Sequence, residues 1–287
     1  MAIVELKDIN FSYGKKTPYE IKALDNVSLT IEESCITGII GHTGSGKSTL
    51  IQLFNGLIRA DGGEVLIDGE SIWDKPKEIA KVRFLVGMVM QYPEYQLFAD
   101  TVREDIAFGP KNMGLDEEEI QKRIFESLEF CGLTADVLDK SPFDLSGGQK
   151  RRVALAGVMA MKPKILVLDE PAAGLDPRGR KEILGGIKAY QRKSGTCVII
   201  VSHSMEDMAM YCDRAIVMSQ GKMIMHGSCQ EVFSQHQLLL DAGLDVPEIT
   251  GIALALREKG IALPRDIYTV DGAVEAIKAL CTGKGGV

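Results

Sequence analysis

Gly41-His42-Thr43-Gly44-Ser45-Gly46-Lys47-Ser48-Thr49 decides how this chain reads. The stretch fits G-x-x-x-x-G-K-[ST], with the apolar run 36–40 before it and a helix-like segment, 49–57, after it. Strand, glycine loop and helix is the context in which that pattern cradles phosphate. The glycines allow backbone N–H groups to turn inward, and the start of a helix adds partial positive charge. The motif makes all nine residues candidates for binding a nucleotide such as ATP: Lys47 neutralises the β- and γ-phosphates, and the Ser48 hydroxyl ligates Mg²⁺. A chance glycine turn ahead of an ordinary helix competes with this reading, so the rest of the chain must supply the other half of the site.

Ile165-Leu-Val-Leu-Asp169-Glu170 supplies that half. An aspartate at the end of a buried strand holds Mg²⁺ through water, and Glu170 beside it accepts a proton from an attacking water. Adjacent acids raise each other's pKa and are costly without partners, which a metal ion and a triphosphate provide. Leu145-Ser146-Gly147-Gly148-Gln149 is a second phosphate-reading element. Ser146 caps a helix beginning around Gln149, and the two glycines expose N–H groups to an anion. One nucleotide needs only one such element. Two of them about a hundred residues apart predict a dimer in which each nucleotide lies between one chain's loop and the other chain's helix.

Working outward, the short continuous apolar runs 36–40, 165–168 and 198–201 each end in a loop bearing Gly, Asp or His. Continuous runs mark strands buried on both faces, so the fold class is α/β with a parallel core sheet. The opening segment alternates instead, with Ile3, Leu6, Ile9 and Phe11 among polar residues, a turn at Tyr13-Gly14 and a second β-rich stretch at 27–31. That pattern predicts an antiparallel β subdomain. Residues 115–131 place Ile120, Ile124, Leu128 and Cys131 on one helical stripe, and no buried strand is evident over about 91–150, which therefore reads as a helical insertion. From Ser228 the pattern changes again. Ser228 and Glu231 form a capping box for a helix running towards Leu240, further short helices follow near 248–258 and 272–281, and a Gly-Lys-Gly-Gly tail at 283–286 reads as frayed. The expected division is a nucleotide-binding domain over 1–225 and a small C-terminal appendage over 226–287.

Composition narrows the class. The 287 residues are 45% hydrophobic and 25% charged, with 33 Lys+Arg against 40 Asp+Glu, a formal net charge of −7. This balance argues against nonspecific binding to nucleic acid or anionic lipid while permitting one small cationic cradle. No apolar run approaches the roughly 20 residues of a membrane helix, and the acid-bearing start MAIVELKDIN does not read as a signal peptide. Six scattered cysteines without a CxxC pair suit reduced thiols in a cytosol better than disulfides or a zinc site.

The ordered set GHTGSGKST, Gln91, LSGGQ, ILVLDE, AGLD (173–176) and Ser202-His203 resembles the nucleotide-binding cassette of ABC transporters over roughly residues 1–225. The resemblance implies an ATPase with ATP and Mg²⁺ as its nucleotide and metal. It casts Tyr13 as the aromatic stacked on adenine, with a packing tyrosine on an edge strand as the competing reading. It casts Gln91 as the loop glutamine sensing Mg²⁺ and γ-phosphate, Asp176 as the aspartate at the dimer interface, and His203 as the switch histidine on the γ-phosphate. Two departures stand out: Ala173 replaces a common serine, and Ser34-Cys35 stands where many cassettes have glycine before the loop-bearing strand.

The segment from Gln91 to Pro110, QYPEYQLFADTVREDIAFGP, together with LDEPAAGLDPRGR at 168–180, is similar to energy-coupling factor (ECF) transporters, and most to the second of their two paralogous ATPases. That family implies a second ABC ATPase as partner, a paralogue rather than an identical chain. It also implies a transmembrane coupling protein, substrate-binding membrane proteins with vitamins or related micronutrients as cargo, and a peripheral location on the cytoplasmic face of the cell membrane. Read physically, Pro93 and Pro110 bracket a stretch whose Leu97, Phe98, Val102 and Ile106 fit one apolar face suited to docking a partner's helix, or to packing on the chain's own subdomain. Two rivals remain at this point: a conventional ABC importer ATPase with a regulatory C-terminal domain, and an ABC ATPase acting on nucleic acid or ribosomes. Glu170, His203, Gln91 and Lys47 are the expected catalytic group, with Ser48, Gln91 and Asp169 around the metal.

Overall fold

The computed structural model describes residues 1–282; the Gly-Lys-Gly-Gly stretch read as a frayed tail lies outside the described residues. The chain opens with β1 (Ala2–Tyr13), β2 (Ile21–Glu32), β3 (Ile36–Ile40), α1 (Lys47–Phe54), β4 (Gly62–Ile67) and β5 (Glu70–Ser71). After α2 (Ile79–Leu85) and β6 (Val86–Val89) come three helices with no strand between them, α3 (Val102–Asn112), α4 (Glu117–Cys131) and α5 (Gly147–Met159). β7 (Ile165–Asp169), α6 (Pro177–Ser194), β8 (Cys197–Val201) and α7 (Met205–Tyr211) then alternate, and β9 (Arg214–Ser219) pairs with β10 (Lys222–Ser228). The described chain closes with α8 (Cys229–Ser234), α9 (His236–Asp241), α10 (Glu248–Glu258) and α11 (Val270–Cys281).

Two sheets result. β2-β1-β4-β5 is antiparallel, and β10-β9-β3-β8-β7-β6 is parallel throughout except for its edge strand β10. The expected α/β class, with both kinds of sheet, is borne out. The unbroken apolar runs have a direct cause. Ile36, Ile40, Leu166, Leu168, Val198 and Ile200 enter one core with residues of α3 to α7, while Ile39, Ile165, Val167, Ile199 and Val201 enter a second core with α1 and the antiparallel sheet. Side chains alternate across a strand, so a strand covered on both faces must be apolar at every position. A fourth such strand, β6, is only four residues long, VGMV, too short a run to stand out. A Cβ at Gly87 would stand 2.8 Å from Val158 and 2.9 Å from Pro163, so the helix and loop packed there require the glycine.

The helical insertion folds as its pattern requires. Ile120, Ile124, Leu128 and Cys131 of α4 are all buried, Asp116 accepts a hydrogen bond from the Glu119 amide at 2.9 Å, and Gly132 ends the helix in the left-handed region. Two expectations need correction. The Ser228–Glu231 capping box is present, but the helix stops at Ser234, and the chain turns at Gln235 before α9 begins. The turn seats Leu239 and then Leu244 in the larger core. In the 91–110 stretch, Leu97, Val102 and Ile106 are buried in that same core and leave only Phe98 facing out; Pro110 lies in the last turn of α3 rather than beyond it. Burial of the insertion's own apolar stripe therefore takes precedence over a docking face at those residues. Ser34 occupies the turn before β3 in the left-handed region (φ 56°), where its hydroxyl donates to the Gly195 carbonyl at 3.1 Å. The departure from glycine there confines itself to a turn.

Candidate functional site

Strand order explains why distant motifs meet. β3, β8, β7 and β6 are neighbours in the parallel sheet, so the segments that follow them emerge side by side at its C-terminal edge. Such an edge is the usual ligand crevice of a parallel sheet. Here it opens as a cavity of about 810 Å³. Gly41, His42, Thr43, Gly44 and Gly46 line it after β3, with Lys47, Ser48 and Thr49 from α1. Gln91 follows β6, Asp169 and Glu170 end β7, and His203 follows β8. Tyr13 stands at the end of β1 on the same cavity.

The loop is shaped by close contacts. A Cβ on Gly41 would fall 2.4 Å from the Met218 carbonyl oxygen and 2.5 Å from Ser45 Oγ, and Gly46 lies at φ 102° with the Ala23 carbonyl 2.7 Å from where its Cβ would be. Neither position admits a side chain. Ser45 itself is fully buried beneath the loop, its hydroxyl without a partner. Lys47 Nζ donates to the carbonyls of Gly41 at 2.6 Å and His42 at 3.0 Å, which curls the loop around the ammonium group. Burial pushes the Lys47 pKa below its ordinary value, against the opposing pull of Glu170 and Asp169.

The acids are arranged for a cation. Asp169 is buried, and its pKa is raised first by burial and second by the charge of Glu170, with Lys47 and Ser48 acting the other way. Ser48 Oγ stands 3.5 Å from Asp169 Oδ2. A hydroxyl, a carboxylate and the nearby Gln91 amide form a hard oxygen set of the kind Mg²⁺ accepts. Glu170 adopts φ 51°, a left-handed conformation that costs a non-glycine residue of order 1–3 kcal/mol. Its amide donates to the Val201 carbonyl at 2.9 Å, and its carboxylate meets His203 Nδ1 at 2.8 Å. The Glu170 side chain is 13% exposed and the His203 side chain 74%, so the carboxylate is sheltered and the imidazole reaches out.

Asp169 carries a stability cost that a substitution removes. Asp169→Asn stabilises the protein by about 0.5–2 kcal/mol, raising Tm by about 2–4 °C per kcal/mol. A raised carboxyl pKa destabilises the fold as pH rises through it and the group must ionise. The gap between variant and parent therefore widens on that rise and closes in acid, where Asp169 is neutral. Thermal melts across pH check the sign.

Tyr13 is half-exposed, its hydroxyl 3.2 Å from Thr49 Oγ1 and its ring packed edge-on to Phe11 with centroids 4.9 Å apart. That contact fixes the ring at the cavity's edge. Ser146, Gly147, Gly148 and Gln149 are not among the residues lining this cavity. They open α5 through a reciprocal cap: the Ser146 hydroxyl accepts from the Gln149 amide at 3.3 Å, and Gln149 Oε1 accepts from the Ser146 amide at 3.1 Å. Asp176 caps α6, accepting from the Gly179 amide at 2.8 Å. The cavity also holds residues that no motif marks: Ile21, Lys22 and Ala23 of β2, Met205 of α7, and 243–245 from the loop after α9. Only the fold brings these to the crevice, and no local spacing signals them.

Comparisons with known proteins bear on the family and the fold. The family model described as ABC transporter matches residues 24–173. The energy-coupling factor transporter ATP-binding protein EcfA2 of Caldanaerobacter subterraneus subsp. tengcongensis is 50% identical over 274 residues, 96% of each chain. That of Clostridium perfringens is 49% identical over 275 residues, again 96% of each. Among solved structures, cbiO1 from Clostridium perfringens, described as part of the ABC transporter complex cbiONQ, aligns with a TM-score of 0.74 at 39% identity, covering 84% of this chain and 94% of that one. A dimeric ATP-binding cassette in a post-hydrolysis state bound to ADP and Pi aligns with a TM-score of 0.71 at 30% identity, covering 79% and 98%.

Proposed function

The chain belongs to the ABC transporter family, among the ATP-binding subunits of energy-coupling factor transporters, and from that premise we propose how its residues divide the work. Its activity is ATP hydrolysis that energises transport. Tyr13 stacks on the adenine, and the 41–49 loop wraps the phosphates with Lys47 between the β and γ groups. Ser48, Asp169 and Gln91 hold Mg²⁺, which when bound neutralises charge on the β- and γ-phosphate oxygens. Glu170 takes the proton of the attacking water. His203, held at Nδ1 by Glu170, presents its other nitrogen to the γ-phosphate, and with Lys47 offsets the charge that develops there.

The observation that carries this reading is the convergence of Lys47, Gln91, Asp169, Glu170 and His203 on one crevice while 146–149 stays outside it. A second chain then completes the site with its own Ser146, Gly147, Gly148 and Gln149, a paralogous ATPase being favoured over an identical chain. The 226–287 appendage helps to hold the pair together. Ile252 of α10 and Val270, Val274 and Ile277 of α11 are exposed, and their apolar surface supports that role.

No helix among the described residues is long and apolar enough to cross a membrane, so transport requires membrane partners: a transmembrane coupling protein and a substrate-binding membrane protein, with vitamins or related micronutrients as cargo. The chain works at the cytoplasmic face of the membrane, peripherally. A groove of about 290 Å³ beside the insertion suits a helix of the coupling protein, with Phe84, Phe108, Val158 and Met161 along its walls. Phe108, half-exposed, packs edge-on against the exposed Phe98 with centroids 4.9 Å apart.

Recovery of the full chain from membranes tests the assignment. Companions with membrane-spanning segments are expected, and companions limited to nucleic acid or ribosomal components overturn it. Phe108→Asp weakens capture of those companions by about 2 kcal/mol or more, about 30-fold in affinity. Because Phe108 is half-exposed and packs edge-on against Phe98, the same change also lowers stability by about 1–2 kcal/mol. Pull-down titration alongside a thermal melt separates the two.

A further inference from the structure

One guanidinium joins the moving parts of the site. Arg151 lies on α5, five residues after Ser146, and is only 5% exposed. Its Nε donates to Glu94 Oε2 at 3.2 Å and its Nη2 to Glu94 Oε1 at 3.1 Å, a two-pronged pair, while Nη1 donates to the Ala173 carbonyl. Glu94 is three residues beyond Gln91; Ala173 is three beyond Glu170 and three before Asp176. A single side chain on the helix that Ser146 opens therefore reaches both the segment that follows Gln91 and the turn between Glu170 and Asp176.

Both partners sit next to strained backbone. Tyr92, between Gln91 and the one-turn helix Pro93–Gln96 that carries Glu94, lies in the left-handed region at φ 57°, and Glu170 lies there at φ 51°. Non-glycine residues keep such conformations only when their surroundings over-determine them. The turn from Glu170 onward is closed by the Ala173 amide donating to the Glu170 carbonyl at 3.2 Å, and the Ala173 carbonyl then goes to Arg151. On the other side Pro93 is buried and has no amide hydrogen to donate, so the Glu94 carboxylate is the anchor of that segment. Arginine suits the place because its donors form a fixed planar fork that serves a carboxylate and a carbonyl together; lysine offers the charge without the fork.

We propose that Arg151 is a positioning residue that ties the Gln91 segment, α5 and the Glu170–Asp176 turn into one unit, so that γ-phosphate contact at Gln91 and Glu170 is transmitted to α5 and to Asp176 at the partner-facing side. This deepens the functional reading above and rests on its placement of Gln91, Glu170 and Asp176. The phosphate loop is not among the groups it touches, so its loss changes turnover and not nucleotide capture.

The test is steady-state hydrolysis by the full chain together with the partner ATPase that completes its site, with Arg151→Lys, Arg151→Gln, Glu94→Gln and the double variant Glu94→Gln/Arg151→Gln. The expected result is a kcat lower by about 10- to 100-fold with KM for ATP within about twofold, the size of loss that misplacement without lost binding produces. The double variant is expected to be no worse than the worse single one, because both changes break one link. Amide hydrogen exchange adds a readout that a merely structural role would not move. ATP protects 92–96 and 171–176 together in the parent chain, and in Arg151→Lys the two segments respond separately. If Arg151→Gln fails to fold, the Lys and Glu94 variants carry the test. An unchanged kcat, a KM that rises in step with the fall in kcat, additive losses in the double variant, or persistent joint protection in Arg151→Lys each overturn the proposal. Glu170→Gln measured in parallel separates the two levels. If it hydrolyses ATP normally, the reading of the site fails; if it is inactive while Arg151→Lys is normal, only the role of Arg151 fails.

Discussion

Glu170→Gln lowers the rate of ATP hydrolysis by about 10²- to 10⁴-fold, the range that a positioned general base contributes, while ATP still binds and the two-chain form accumulates. The substitution keeps the size of the side chain and an oxygen within reach of His203 Nδ1, now 2.8 Å from the carboxylate. Its backbone strain is also unchanged, since glutamine at φ 51° is no worse placed than glutamate. What it removes is the capacity to take a proton. Lys47 and the 41–49 loop are untouched, so nucleotide affinity is retained and the closed pair is trapped before hydrolysis. Single-turnover hydrolysis with size-exclusion chromatography in ATP and Mg²⁺ reads both consequences. Normal hydrolysis by the variant would remove Glu170 from the mechanism. Lost binding would mean that its role lies in shaping the pocket.

Gly147→Asp is the second large effect, and it separates what the chain requires of itself from what it requires of a partner. A Cβ on Gly147 meets no atom within 4 Å, and one on Gly148 meets only Leu175 at 3.9 Å. Neither glycine lies in the left-handed region. The fold therefore imposes no demand for glycine at either position. An aspartate in the first turn of α5 even favours the helix, by about 0.3–1 kcal/mol through its dipole. If these residues serve only to begin a helix, Gly147→Asp is silent. If they receive a partner's γ-phosphate, the new carboxylate faces that anion. Two like charges about 4 Å apart at an effective dielectric near 20 cost about 4 kcal/mol, a loss of about 10³-fold in rate. The expected outcome is an unchanged or slightly raised Tm with hydrolysis abolished at the site that this α5 completes. Mixing Gly147→Asp chains with Glu170→Gln chains distinguishes pairings. Two identical-type chains regenerate one intact site and recover activity, whereas an obligatory paralogue leaves the mixture dead until that paralogue is added.

Local pattern explains what was legible from the residues alone. The 41–49 loop, Asp169-Glu170 and Ser146 to Gln149 were each marked by a short stretch whose chemistry is complete within a few residues, whereas His203 was marked only by the resemblance to a family. The helical stripe of α4 and the box at Ser228 and Glu231 were legible for the same reason, since spacing of three and four residues is all a helix consults. Illegible were features in which one segment answers to another. β6 is a four-residue strand whose Gly87 answers to Val158 and Pro163, packed on it from elsewhere in the chain. The helix begun at Ser228 ends early, at a turn that seats Leu239 and Leu244 in a core built by other elements. Leu97, Val102 and Ile106 have an amphipathic spacing that fits docking and packing equally well, and only the assembled insertion shows that they are buried.

The sequence by itself determined the α/β class, the phosphate loop and the identity of the acid pair, because backbone geometry and nearest-neighbour chemistry are short-ranged. The tertiary structure decided which of these meet. Strand order places β8 between β3 and β7, and so brings His203 within 2.8 Å of Glu170, 33 residues away. It leaves 146–149 outside the crevice, brings 243–245 into it, and buries Arg151 between Glu94 and Ala173. Those relations depend on which strands are adjacent and on which faces the cores claim, properties of the whole packed chain that no single stretch of it contains.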